Sequence, residues 1–302
     1  MSNTDPYTPT GTSCWVDLDG PVHYVDHGGP PAAPVLVLVH GLGGSHANWT
    51  SFAPLLTDRR RVLALDLAGF GLTGGHPRDA TVSGNRLLLQ QFLEKVVGRP
   101  AVLVGNSMGG LITAMQAAEQ PRTVSGLALV DPVLPWVFSR PDALVISTFA
   151  AVGMPEPVRR ALLGRRPPLT ATQAALELLE LCCADPARIS PDVVDQHVAL
   201  ARRRRSVPNT EADLLLAARS LIWVMARRRR YAAQLRELRR PVLLIHGSED
   251  RLVPIRAARR TAAANPSWRF EEATGIGHVP MLESPAWTAA QVNDWLATSV
   301  GV

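Results

Sequence analysis

The feature that most constrains this chain is Gly105-Asn106-Ser107-Met108-Gly109, set between the apolar run Ala101 to Val104 and the helical pattern Leu111 to Gln120. A serine turned sharply between a strand and a helix sits on a strained backbone. Its neighbours two residues away must then be small, as Gly105 and Gly109 are. The turn presents the Ser107 hydroxyl at the carboxyl edge of a sheet, and the N–H groups opening the next helix favour negative charge developing there.

The surrounding pattern supplies that sheet. Val35 to Val39 (VLVLV) and Val62 to Leu65 (VLAL) are unbroken apolar runs of strand length, as expected of strands covered on both faces. Ala101 to Val104, Val124 to Val130, Val242 to Ile245 and Trp268 to Glu271 read the same way, and Trp15 to Leu18 with Val22 to Val25 predict an antiparallel pair at one edge. Helical spacing over Val82 to Val97 and Trp287 to Leu296 alternates with these strands, the signature of an α/β fold with a mostly parallel sheet. From Leu134 the character changes to apolar helical stretches broken by prolines and arginines. The expected organisation is a core over 1–133, a helical cap inserted over 134–240, and the rest of the core over 241–302.

Composition narrows the class. The chain has 302 residues, long enough to bury a core without disulfides, and its three cysteines include the adjacent pair Cys182 and Cys183, poor geometry for a bridge. With no signal-like N-terminus and no apolar run of membrane-spanning length, a cytoplasmic location is expected. The segment 134–240 carries 18 Arg against 10 Asp and Glu, with runs at Arg202 to Arg205 and Arg227 to Arg230. These read as solvated helix faces; association with a membrane surface is a secondary, unfavoured expectation. Nucleic acid is not an expected partner, because zinc-ligand spacing and aromatic RNA-binding motifs are absent and only 5% of residues are aromatic. The His and Cys residues do not cluster at metal spacing and no Gly-x-Gly-x-x-Gly follows a strand, so neither a metal nor a cofactor is expected.

A serine hydroxyl is a weak nucleophile and needs a base and an orienting acid. Asp250, just beyond the strand VLLI, and His278, in the glycine-rich loop Gly275-Ile276-Gly277-His278, are the candidates. Asp131, after the strand ending at Val130, is the rival acid. His40 and His246, which end buried strands before a glycine, read as loop-holding residues, and Asp66 as shaping the loop after its strand.

The chain resembles α/β-hydrolase fold proteins, specifically the serine esterase and lipase-like branch with a helical cap. The likeness rests on HGLGG (His40 to Gly44), DLAGFG (Asp66 to Gly71), GNSMGG (Gly105 to Gly110), HGSEDRLVP (His246 to Pro254) and GHVPMLESP (Gly277 to Pro285). It implies an eight-stranded, mostly parallel sheet, Ser107 as nucleophile, His278 as base then acid, and Asp250 orienting the imidazole. It further implies an oxyanion hole from the backbone N–H groups of Leu42 and Met108, with Gly41, Trp136 and Val253 lining the substrate pocket. The expected reaction is hydrolysis of a carboxylic ester, a monoester or monoacylglycerol-like substrate with an apolar acyl group, by a monomer or homodimer. Two alternatives stand beside it. One is a carbon–carbon bond hydrolase of the meta-cleavage-product type, against which Val279 and Pro280 after the histidine count; the other is a ligand sensor on the same fold.

Overall fold

Eight strands form one sheet in the computed structural model, which describes residues 9–75, 79–135 and 169–301. They are β1 (Thr12–Asp17), β2 (Pro21–Asp26), β3 (Val35–Val39), β4 (Arg61–Leu65), β5 (Ala101–Asn106), β6 (Val124–Val130), β7 (Val242–Gly247) and β8 (Arg269–Ala273), in the order β1-β2-β4-β3-β5-β6-β7-β8. β2 runs antiparallel to both β1 and β4, and every other pairing is parallel. The expected antiparallel edge pair and the mostly parallel sheet are both present. Most strands run a residue or more beyond the expected limits, and two residues expected in strands, Leu18 and Trp268, lie outside them. β1 ends at Asp17 because Leu18, Asp19 and Gly20 form the hairpin turn, with Asp19 and Gly20 at positive φ and Asp17 Oδ1 accepting from Gly20 N at 2.8 Å. β8 begins after Trp268, whose N–H is turned to the Asn265 carbonyl at 3.0 Å.

The unbroken apolar strands alternate between two cores, because successive side chains point to opposite faces. Val35, Val37, Val39, Leu63, Leu65, Leu103, Leu127, Leu129 and Leu244 face one core. It is closed by helices α1 (Val82–Phe92) and α2 (Met108–Glu119) and by residues of three later helices. Leu36, Leu38, Val62, Ala64, Val102, Val104, Ala128, Val130, Leu243 and Ile245 face the other, beneath Trp49, Phe52 and Trp295.

Between β6 and β7 the described chain is helical: α3 (Ala171–Cys182), α4 (Pro191–Arg204), α5 (Thr210–Ala226) and α6 (Arg228–Arg236). Thr170 starts α3 with a capping box, its hydroxyl accepting from Gln173 N while Gln173 Oε1 accepts from Thr170 N. After β7 follow α7 (Ile255–Ala264), the short α8 (Pro280–Glu283) and α9 (Pro285–Trp295). Among the described residues no helix is long and apolar enough to cross a membrane.

The strand order fixes where a site can form. From β3 the chain moves to β4 on one side and then crosses to β5 on the other, so the loops after β3 and β5 diverge and open a crevice at their carboxyl ends.

Candidate active site

Ser107 occupies that crevice, one residue past β5, at φ 55° and ψ −119°, a conformation that costs a non-glycine residue about 1–3 kcal/mol. The strain is held from three sides. Ser107 N donates to Val130 O at 3.1 Å, and Ser107 O accepts from Leu111 N at 3.2 Å and Val133 N at 3.1 Å. The glycines are required by contact: a Cβ on Gly105 would stand 2.5 Å from Thr113 Oγ1 and 2.6 Å from Gly109 O, and one on Gly109 would stand 2.2 Å from Val39 O. α2 begins at Met108, whose N–H, in the helix's first turn, has no intrahelical acceptor.

The loop after β3 closes on the serine. A Cβ on Gly41 would lie 2.8 Å from Ser107 Cβ, so only glycine lets Leu42 and its neighbours come this near. His40 fixes the loop: Nε2 accepts from Leu67 N at 3.1 Å, which leaves Nδ1–H to donate to Gly41 O at 2.8 Å. Burial lowers the His40 pKa to about 4, so the ring stays neutral and keeps that tautomer. This geometry gives His40 the loop-holding role read from its sequence position.

Asp250 and His278 come together from the loops after β7 and β8. His278 Nδ1 and Asp250 Oδ2 are 2.7 Å apart, and both residues are buried. Asp250 Oδ1 accepts from Leu252 N at 2.8 Å and Val253 N at 2.9 Å. Burial pushes the Asp250 carboxyl up, but the His278 charge and hydrogen bond, with help from His246, outweigh it and hold the group below the usual carboxylate range. An ionised Asp250 only accepts, so Nδ1 of His278 carries the proton and Nε2 is left with a lone pair.

Two residues that sequence reasoning did not single out join these halves. Asn106 Nδ2 donates to Val130 O and to His278 O, each at 3.1 Å, which ties the loop of the imidazole to the residue preceding Ser107. Glu283 is buried beneath the same loop; its Oε2 accepts from Gly277 N at 2.7 Å, and its Oε1 from Ala184 N and Asp185 N at 3.1 and 3.0 Å. The only signal for either was membership in a quoted motif.

Asp131, the rival acid, also reaches the cluster. Its Oδ1 accepts from Gly247 N at 2.8 Å, while the His278 ring donates its hydrogen bond to Asp250. His246 Nε2 donates to Val253 O at 2.7 Å, as a loop-holding residue would. The Val253 side chain lies in the core and its backbone in the turn that holds Asp250. Trp136 lies outside the described residues, as does most of the cap's expected entry.

A second buried cluster is built on Asp66. Its Oδ2 takes His23 Nδ1 at 2.7 Å, His46 Nδ1 at 2.8 Å and Leu72 N at 2.9 Å, and its Oδ1 takes His46 N at 2.8 Å. One carboxylate thus ties β2, the turn at His46 and the loop after β4.

The sequence profile described as alpha/beta hydrolase fold matches residues 34–285, and the chain belongs to that family. It is 28% identical over 279 residues to the biotin biosynthesis bifunctional protein BioHC of Teredinibacter turnerae, covering 88% of this chain and 45% of that protein. It is 24% identical over 290 residues to the monoacylglycerol lipase ABHD6 of Homo sapiens, covering 92% of this chain and 81% of that one. The chain therefore spans about half of the first relative and four fifths of the second. Its fold matches the crystal structure of a putative lipase from Acinetobacter baumannii with a TM-score of 0.79 at 22% identity, over 97% of this chain and 92% of that chain.

Proposed function

We propose that the chain is a serine hydrolase that cleaves carboxylic esters with an apolar acyl group through an acyl-enzyme on Ser107. The observation that carries the reading is the 2.7 Å bond between His278 Nδ1 and Asp250, in a loop tied through Asn106 to a serine on a positive-φ turn. His278 Nε2 takes the Ser107 proton as the hydroxyl attacks the ester carbonyl, and Asp250 stabilises the imidazolium that forms. The N–H groups of Met108 and Leu42 receive the oxyanion, each donor being worth about 100- to 1,000-fold in rate. His278 then protonates the leaving alcohol, and water activated by the same imidazole releases the acid. The name of the relative ABHD6, a monoacylglycerol lipase, supports a monoester or monoacylglycerol-like substrate.

In this reading the segment 134–240 is a cap that roofs an acyl pocket entered past Trp136, with Gly41 and the Val253 turn at its floor. The enzyme acts alone or as a homodimer on a small ester, in the cytoplasm. Turnover of nitrophenyl esters from acetate to dodecanoate, with Ser107→Ala in parallel, tests it. The expected result is turnover that falls by at least about 10⁴-fold in the variant, with the best chain length sizing the pocket. Wild-type protein that is inert on every chain length, or turnover that survives Ser107→Ala, would refute it.

A further inference from the structure

The buried cluster on Asp66 reaches the surface at Ser13. His23, fully buried in β2, donates from Nδ1 to Asp66 Oδ2 at 2.7 Å, and its Nε2 stands 2.7 Å from Ser13 Oγ on the edge strand β1. Ser13 is exposed. Burial pushes the Asp66 carboxyl up, but the His46 charge and the hydrogen bonds from His23 and His46 outweigh it, so the group is ionised and only accepts. With the ring proton on Nδ1, the neutral imidazole keeps a lone pair on Nε2, and the Ser13 hydroxyl is the donor to it. Hydroxyl, imidazole and buried carboxylate are thus linked in the order of a serine triad, on residues that Ser107, Asp250 and His278 do not use.

Tyr24 pairs with Leu65, so His23 and Asp66 lie at the carboxyl edge of the parallel strands, outward from β5. A histidine needed only to tie β2 to the loop after β4 would use Nδ1 alone. Here the second nitrogen is turned to a hydroxyl that small molecules can reach. Trp15, two residues along β1 and so on the same face as Ser13, is 52% exposed and stands edge-on to the His23 ring with centroids 5.0 Å apart. It puts an aromatic surface beside the hydroxyl. Unlike Ser107, Ser13 lies within an extended strand and opens no helix, so no helix N-terminus follows it to receive a developing oxyanion.

We propose that Ser13 is a second nucleophile, which takes the acyl group of an activated aryl ester in a single stoichiometric step. His23 Nε2 takes the Ser13 proton as Oγ attacks the carbonyl carbon. The bond from Oγ to that carbon forms, the bond from it to the aryl oxygen breaks, and the imidazolium returns its proton to the departing aryloxide. Asp66 stabilises the imidazolium in between. Acylation proceeds because an aryloxide leaves readily. The serine ester left behind is an ordinary alkyl ester, which water attacks slowly where oxyanion donors, each worth about 100- to 1,000-fold, are missing. Ser13 is therefore filled once and stays filled.

The test uses Ser107→Ala protein treated with nitrophenyl acetate at neutral pH, with the acetylated positions followed over time by peptide mass spectrometry. Ser206 is the internal reference, because it too is exposed but its hydroxyl donates to Arg203 O at 2.8 Å and has no base. General-base help is worth about 100- to 10,000-fold, so Ser13 is expected to acetylate at least about 100 times faster than Ser206. Adding His23→Gln should bring Ser13 down to the Ser206 rate. Ser13→Cys in the same background leaves the buried ring in place, so a folding defect in His23→Gln does not end the test. The thiol at position 13, beside His23, should be alkylated by iodoacetamide at about pH 6 at least about 10-fold faster than the neighbouring Cys14. Acetylation of Ser13 no faster than that of Ser206, full-rate acetylation in folded His23→Gln, or alkylation at position 13 no faster than at Cys14 would overturn the proposal. None of these readouts depends on ester turnover, so their failure leaves the Ser107 reading to its own test.

Discussion

Adding one methyl group at Gly109 tests whether the elbow is held by backbone contact. A Cβ there would stand 2.2 Å from Val39 O, 2.4 Å from His40 O and 2.7 Å from Val39 C. Carbon and oxygen normally approach no closer than about 3.3 Å, so β3 and α2 must separate by roughly 1 Å. Neither element yields easily, because Val39 is paired to Leu65 on one side and Gly105 on the other. The cost therefore belongs at the upper end of the overpacking range, about 3 kcal/mol. For a chain of 302 residues, with unfolding entropy of about 2.1 cal/mol/K per residue, that lowers Tm by about 5 °C. The separation also moves the Gly41 loop off Ser107, and a misplacement of about 1 Å can cost about 100-fold in rate. The assay is thermal unfolding by circular dichroism beside ester turnover, with Gly74→Ala as control, since a Cβ there would meet nothing within 4 Å. The control should be neutral or more stable by up to about 1 kcal/mol. Gly109→Ala melting and turning over like Gly74→Ala would refute the contact argument.

Two further outcomes follow from buried titratable groups. Burial raises the Asp66 carboxyl, but His46, through its charge, and hydrogen bonds from His23 and His46 hold it well below the usual range. Its stabilisation is therefore present above the unfolded pKa of about 3.9 and is lost as pH falls through the lower folded value. Asp66→Asn should cost about 3–5 kcal/mol at pH 7 and remove that part of the acid-induced loss, read by urea unfolding at pH 7 and pH 3; unchanged midpoints would contradict it. Burial pushes the Cys182 thiol up to about 12 and raises that of Cys183 as well, and both are free cysteines. At pH 8 about one Cys182 in 10⁴ is thiolate, so a disulfide reagent should modify both residues orders of magnitude more slowly than after denaturation, and rapid labelling of either in the folded protein would refute this.

What was legible in the sequence is what local chemistry dictates. β3, β4, β5 and the Ser107 turn could be read because buried parallel strands leave continuous apolar runs and a strained elbow demands glycines at fixed offsets. Asp250 and His278 could be placed at loop positions, but the bond between them spans 28 residues and no periodicity encodes it. The Asp66 cluster gathers His23, 43 residues away, and His46, 20 away, each of them unremarkable in its own segment. Glu283 was hidden for a different reason. A carboxylate in a short helix looks solvent-facing until the three backbone N–H groups around it are seen.

Those three donors show how the two halves of the candidate site are coupled. The serine half is fixed by the sheet and α2, whereas the imidazole half leans on the helical segment between β6 and β7. His278 N donates to Cys182 O at 2.7 Å, and a Cβ on Gly277 would stand 2.5 Å from both Cys182 O and Ala184 N. Glu283 bridges Gly277 N to Ala184 N and Asp185 N, and Arg251, one residue past Asp250, donates to Leu181 O at 3.3 Å and Cys183 O at 3.2 Å. The end of α3 is thus part of the support that holds His278 and Asp250 in register. In the proposed reaction a hydrogen bond displaced there would shift the His278 ring, so substitutions in this segment are expected to change turnover through the position of the imidazole.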